Sequence, residues 1–158
     1  MKVSIIIPVY NEEKTILKII NKILQLKNIN KELIVVNDGS TDNTKKLLSK
    51  FSNKRIRIIN HSKNSGKGAA IRTAQKHVTG THVIIQDADL EYEPTDYENL
   101  LKHFKKKNIS VVYGSRVLKK KRYKLKSFSS LERIFYNHVL TIMSNIIIIK
   151  KLTIPHTC

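Results

Sequence analysis

Val3-Ser4-Ile5-Ile6-Ile7-Pro8-Val9, followed at once by Tyr10-Asn11-Glu12-Glu13, is the stretch on which the fold turns. The run is short, apolar and rich in branched side chains, and Pro8 and Asn11 close it. That pattern predicts a strand buried on both faces. Asn11 is placed to cap a following helix, with Glu12 and Glu13 in its first turn and Ile16, Ile19, Ile20, Ile23 and Leu24 along one face.

The same unit recurs along the chain. Glu32 to Val36 predicts a second strand that runs into N-D-G-S-T-D (37–42), turn residues able to cap a helix bearing Leu47, Leu48 and Phe51. Arg55 to Ile59 predicts a third strand, then N-S-G-K-G-A-A (64–70) and a helix from Ala69 to Val78 with Gly80 as its stop. His82 to Gln86 predicts a fourth, ending in D-A-D-L-E (87–91). Thr95 and Glu98 form a capping box for a helix reaching Lys106, and Ile109 to Tyr113 predicts a fifth strand before G-S-R (114–116). Alternating strands and helices imply an α/β fold, a mostly parallel sheet with helices on both faces. Ligands bind such sheets beyond the carboxyl ends of the strands. The polar motifs N-E, N-D-G-S-T-D, D-A-D and G-S-R all fall there.

The chain has 158 residues, enough for one ordinary domain, and its single cysteine, Cys158, excludes an internal disulfide and a cysteine-based zinc cluster. A reducing, cytoplasmic setting is expected. The amino terminus lacks the features of a signal peptide. Net charge is +18, and the excess is uneven: Lys102 to Lys126 holds eleven Lys or Arg and no acid. Such a block implies an anionic partner. Nucleic acid is not expected, because no recognition module or aromatic stacking platform accompanies the charge.

Asp87 and Asp89, one residue apart at a strand end, can face one hard cation such as Mg²⁺ or Mn²⁺, with Glu91 as a third oxygen donor. They equally suit an acidic turn capping the next helix. Asp38, at another strand end, can accept from a ribose hydroxyl or a base N–H, or simply cap a helix. Glu12 has the same two readings. Gly66-Lys67-Gly68 is neither a Walker motif, since His61 stands at the leading glycine and Gly68 at the Ser/Thr position, nor a dinucleotide fingerprint, since Ile71 stands at the last glycine. It reads as a tight turn that brings Lys67 and backbone N–H groups near an anion.

S-I-I-I-P-V-Y-N-E-E, V-N-D-G-S-T-D, N-S-G-K-G-A-A-I-R-T-A, Q-D-A-D-L-E-Y-E-P and Y-G-S-R, in this order and spacing, resemble family 2 glycosyltransferases. The narrower resemblance is to the dolichyl-phosphate mannose and glucose synthases and their bacterial polyprenyl relatives. It implies a GT-A-like (Rossmann-like) nucleotide-sugar-binding core over residues 1–118. Residues 119–158 would begin an acceptor- and membrane-facing part. It implies an inverting transfer of a hexose from a nucleotide-sugar of the GDP-mannose or UDP-glucose type to a polyprenyl phosphate. Pro8, Tyr10, Glu12, Asp38, Lys67, Gly68 and Asp87 match nucleotide-binding positions. Asp87, Asp89 and Glu91 match the metal's surroundings, with Glu91 standing where relatives often have Gln. Asp89 and Arg116 match the catalytic positions, and Arg133 a second phosphate-side arginine. No general base is named, because a lipid phosphate is already an ionised nucleophile.

K-K-K-R-Y-K-L-K (119–126) matches a loop near the acceptor. It suits an anionic membrane surface, where each basic residue is worth about 1 kcal/mol, or a solvated charge run. Leu131 to Ile149 is too interrupted to span a bilayer and suits an interfacial helix, a core helix or a partner-facing helix. The chain is therefore expected to be membrane-associated, peripheral at the inner face. Ile154 and His156 stand where relatives commonly carry acids, and the chain ends at Cys158. These departures imply a C-terminally truncated fold, either completed by a partner chain or limited to nucleotide-sugar binding.

Overall fold

The computed structural model describes residues 1–106 and 109–114. Four parallel strands, β1 (Lys2–Val9), β2 (Asn30–Asn37), β3 (Ile56–Asn60) and β4 (His82–Ile85), form one sheet in the order β3-β2-β1-β4. Between them lie α1 (Ile16–Gln25), α2 (Thr44–Leu48) and α3 (Lys67–Gln75). A 3-10 turn at Pro94–Asp96 leads from β4 into α4 (Tyr97–His103).

β1 is central, and its two faces feed two cores. Val3, Ile5, Ile7 and Val9 join Leu33 and Val35 of β2 against Ile16, Ile19, Ile20 and Ile23 of α1, Leu48 of α2, and Tyr97 and Leu101 of α4. Ile6, Ile34 and Val36 point the other way, onto Ala70 and Ala74 of α3. A strand covered on both sides needs apolar residues at every position, which is why the Ile5-Ile6-Ile7 run does not alternate with polar ones. Each fully buried Ile contributes about 1.5–3 kcal/mol relative to exposure. The parallel α/β sheet with helices on both faces matches the expectation.

Several local expectations change. Asn11 does not cap α1. It takes a left-handed φ of 56°, and its Oδ1 accepts from Thr41 N–H at 2.8 Å. The helix begins only at Ile16, after Glu12 C=O has accepted from the N–H groups of Thr15 and Ile16, so Glu12 and Glu13 precede its first turn. Thr95 and Glu98 make no capping box: Pro94 starts a 3-10 turn and α4 opens after Asp96 without a side-chain cap. α3 ends at Gln75, so Gly80 is not its stop. Gly80 instead lies against β1, where a Cβ would come within 2.7 Å of Ser4 N and Oγ. Residues 109–114 carry no regular secondary structure, and the expected fifth strand does not form among the described residues. β4 has only β1 as a ladder partner there.

Contacts divide the chain into Met1–Val112 and Tyr113–Cys158. Of the second unit only Tyr113 and Gly114 are described. The expected boundary at residue 118, the basic run 119–126, the helix over 131–149, Arg116 and Arg133 all lie outside the described residues. Among the described residues no helix is long and apolar enough to cross a membrane.

At the amino ends of the strands Glu32 gathers four donors. Ser4 Oγ donates at 2.5 Å, Thr79 N–H at 2.8 Å, Thr79 Oγ1 at 2.6 Å and Lys2 Nζ at 2.7 Å. Burial opposes ionisation of Glu32, but the bonds from Lys2, Ser4 and Thr79 outweigh it and bring its pKa from 4.5 to about 2. A depressed carboxylate pKa stabilises the fold above the unfolded value and loses that contribution as pH falls toward the folded value. The urea midpoint of the wild type should therefore exceed that of Glu32→Gln by a constant margin above pH 4.5, and the margin should close between 4.5 and about 2.

Candidate functional site

Three strand ends and the loop before α3 meet at the carboxyl edge of the sheet. The loop after β1 is laced to the loop after β2. Ser40 Oγ accepts from Asn11 N–H at 3.0 Å, Thr44 Oγ1 from Glu12 N–H at 2.9 Å and Asp42 Oδ2 from Glu13 N–H at 3.1 Å. Glu13 Oε2 returns the bond by accepting from Asn43 N–H and Nδ2 at 3.0 Å each. Burial opposes ionisation of Asp42, but bonds from Thr44 and Glu13 N–H hold its pKa below the ordinary value. The Glu12 carboxylate accepts from Thr15 Oγ1. Pro8 is half-buried and Tyr10 is 44% exposed beside this lattice.

Asp38 leaves β2 almost fully buried, its side chain 4% exposed. Its carboxylate accepts from Ser65 N–H at 3.0 and 3.1 Å, from Gly66 N–H at 2.7 Å and from His61 Nδ1 at 2.6 Å. Burial works against its charge, yet these donors keep its pKa below the ordinary carboxylate value. The carboxylate thus holds the turn that starts α3. Gly39 packs directly beneath that turn: its φ is +68°, and a Cβ there would lie 2.4 Å from Lys63 C. Only glycine satisfies both the backbone angle and the approach.

β4 delivers the D-A-D segment. Gln86, 2% exposed, donates from Nε2 to Asp87 C=O at 3.0 Å and to Tyr92 C=O at 3.3 Å. Tyr97 OH donates to Gln86 Oε1 at 2.5 Å, and burial pushes the phenol's pKa up. The turn is therefore anchored to α4 through one amide. Asp87 Oδ1 meets Lys67 Nζ at 2.6 Å, which brings the first residue of α3 against the end of β4. Asp89 is exposed and accepts from Glu91 N–H at 2.9 Å; Leu90 between them has φ 67°.

The structure thus places Asp38, Asp87 and Asp89 just beyond the strand ends, and Lys67 and Gly68 in the first turn of α3, which starts two residues before the expected Ala69. Among the described residues, no three His, Cys, Asp or Glu side chains stand together as a metal-binding group. The expected trio of Asp87, Asp89 and Glu91 is therefore not assembled as a closed site. Glu91 instead contributes its backbone N–H to Asp89. An Asp87–Asp89 pair fits a cation of the Mg²⁺ kind, which keeps few protein carboxylates and fills its shell with substrate phosphates and water.

His61, Thr73, Gln86 and Tyr97 were not legible as site residues. Nothing in their local sequence marks them, although His61 and Gln86 each follow a strand, where the other polar motifs lie. Replacing Tyr97 by Phe should cost about 1–3 kcal/mol in urea unfolding, because the buried Gln86 Oε1 loses its donor.

Comparison with known proteins follows the same lines. The pattern of the family described as "Glycosyl transferase family 2" matches residues 4–156. A dolichyl-phosphate beta-glucosyltransferase of Trichomonas vaginalis is 34% identical over 159 residues, covering 90% of this chain and 48% of its own length. A UDP-Glc:alpha-D-GlcNAc-diphosphoundecaprenol beta-1,3-glucosyltransferase of Escherichia coli is 33% identical over 138 residues, covering 87% of this chain and 54% of its own. The chain spans about half the length of the curated relatives it matches. Among solved structures, a mannosyltransferase of Pyrobaculum calidifontis in complex with GDP-Man and Mn²⁺ has a TM-score of 0.60 at 27% identity, over 68% of this chain and 33% of that one. TarS of S. aureus in complex with UDP-GlcNAc has a TM-score of 0.59 at 29% identity, over 66% and 31%. The GT-A-like architecture expected from the sequence is the one these neighbours share with the described sheet. The family pattern runs across nearly the whole length: the chain belongs to glycosyl transferase family 2.

Proposed function

We propose that the chain forms the donor-binding part of an inverting hexosyltransferase that uses a nucleotide-sugar of the GDP-mannose or UDP-glucose type and a polyprenyl phosphate acceptor. The observation that carries this reading is the Lys67–Asp87 pair, 2.6 Å apart across the ends of α3 and β4. It sets a group that seeks anions beside one that seeks cations, which a nucleoside diphosphate with its counter-ion requires. The names of the polyprenyl-linked relatives support the acceptor class.

On this reading Pro8, Tyr10 and Glu12 border the nucleotide from the end of β1. Asp38 serves it from the end of β2, by holding the loop that leads into Lys67 and Gly68 of α3. Lys67, at the amino end of α3, attracts the diphosphate together with the positive end of the helix dipole. Asp87 and Asp89 would hold Mg²⁺ or Mn²⁺, and the cation would supply neutralisation of charge on the leaving group. Arg116, outside the described residues, is assigned to the departing phosphates, which need fixed positive charge as the bond breaks. The acceptor phosphate oxygen forms its bond to the anomeric carbon as the bond to the nucleoside diphosphate breaks on the opposite side, so configuration inverts and no general base is required. Residues 119–158, outside the described residues, are assigned to the acceptor side, and the basic run 119–126 to an anionic membrane surface at the cytoplasmic face.

Titration calorimetry of GDP-mannose and UDP-glucose, with and without Mn²⁺, tests the reading. One donor should bind in a metal-dependent way, and Asp89→Ala should weaken it by about tenfold to a hundredfold, the scale of one lost charged contact. Absence of binding to the folded protein would overturn the proposal. Binding without transfer to added polyprenyl phosphate would restrict the chain to a nucleotide-sugar-binding role or to work with a partner chain.

A further inference from the structure

The loop from Ser62 to Gly66 is exposed at every position, so beyond the close approach of Gly39 beneath it, packing does little to set where it lies. Polar bonds must. Asp38 provides three of them, to Ser65 and Gly66 N–H, and Asp38 is itself clasped by one side chain, His61. The imidazole is only 17% exposed and has partners on both nitrogens: Nδ1 lies 2.6 Å from Asp38 Oδ1 and Nε2 lies 2.9 Å from Thr73 Oγ1.

The chemistry of the partners fixes the tautomer. An ionised carboxylate only accepts, so Nδ1 carries the hydrogen. In the neutral ring Nε2 then accepts from the Thr73 hydroxyl. The backbone of His61 is pinned as well, its N–H donating to Asn37 C=O at 2.9 Å. The ring therefore joins the end of β2, through Asp38, to the second turn of α3, through Thr73. The loop that carries Lys67 is bracketed between those two attachments.

We infer that His61 is a positioning residue of the nucleotide site: by orienting the Asp38 carboxylate and tying it to Thr73, it fixes the 62–66 loop in the conformation that presents Lys67, the first residue of α3, to a diphosphate. This inference rests on the donor-site reading of that loop. His61 touches no substrate on this account and acts through Asp38. Its loss leaves Asp38 Oδ1 short of a donor and Thr73 without its acceptor, while the β-strands and both cores remain as they are.

The test compares wild type, His61→Ala, His61→Asn and Thr73→Val. The Asn amide can place an N–H where Nδ1 stood, so it should restore the bond to Asp38. Two quantities are measured, the amide hydrogen exchange of Ser65 and Gly66 without ligand and the dissociation constants of UDP and GDP with Mn²⁺. Urea midpoints establish that each variant is folded. His61→Ala should speed exchange at both amides and weaken the bound nucleotide by about tenfold, the scale of one charged hydrogen bond. His61→Asn should recover most of both effects, and Thr73→Val should fall between. If His61→Ala does not fold, His61→Asn near wild type with Thr73→Val impaired supports the inference, and both at wild-type values sink it. Wild-type exchange and affinity in His61→Ala, or an Asn variant no better than Ala, would overturn it while leaving the donor site intact. A wild type that binds neither nucleotide would overturn the donor reading and this inference together.

Discussion

Burial of β1 on both faces is the constraint from which the rest follows. Ile6 faces α3 while Ile5 and Ile7 face α1, and none of the three has meaningful contact with water. A strand so placed must be central, so β2 and β4 are obliged to take its two edges. All the pairings are parallel, so the carboxyl ends of these strands open on one side. The chemistry-bearing motifs share a rim because the ladders leave them no other place. α3 reaches the sheet through Ala70 and Ala74, and these small side chains bring its first residue, Lys67, close to the end of β4.

Above that rim the means of support changes. Below it, aliphatic packing is continuous and fixes position through shape. Above it, the segments are held by side chain to backbone bonds: Asn11 to Thr41, Thr44 to Glu12, Asp42 to Glu13, Asp38 to Ser65 and Gly66, Gln86 to Asp87. Such bonds are directional and individually modest, about 0.5–1.5 kcal/mol net for neutral groups and more for charged ones. A polar rim on a rigid apolar base suits a ligand rich in hydroxyls and phosphates.

The apolar part of this structure was legible in the sequence and much of the polar part was not. Strands β1 to β4 and their alternation with helices follow from the Val3–Val9 run, the Glu32–Val36 run and the turn residues after them. The strands' buried faces leave a pattern that composition alone reveals. Helix starts were misplaced where a polar side chain served a distant loop and not its own helix: Asn11 resembles a cap locally, but its oxygen is taken by Thr41, thirty residues on. Ile109 to Tyr113 carries strand-like residues, yet a strand also needs a ladder partner, which local composition does not encode. The placement of Asp38, Lys67, Asp87 and Asp89 at the carboxyl edge of the sheet follows from motif order. His61 and Gln86 were missed because their importance lies in what they hold, which only the folded chain brings together.

Glu32 and Asp38 show why a motif cannot be read from charge alone. Glu32 sits on β2 and Asp38 directly after it; both accept several hydrogen bonds, and both have depressed pKa values despite burial. Glu32 lies toward the amino end, where its donors come from Lys2, Ser4 and Thr79, and its work is to fasten β1 and the chain before β4 to β2. Asp38 follows the carboxyl end, where its donors are the His61 ring and the N–H groups of an exposed loop. The electrostatics of the two are alike, and the difference is topological. In a parallel sheet the amino ends meet incoming connections that only need closing, whereas the carboxyl ends launch the loops that face a ligand. A carboxylate at the first position stabilises the fold; the same carboxylate at the second also decides the shape of the surface a ligand meets. The position of a strand's end in the sheet, and not the acidity of the group on it, separates the two roles.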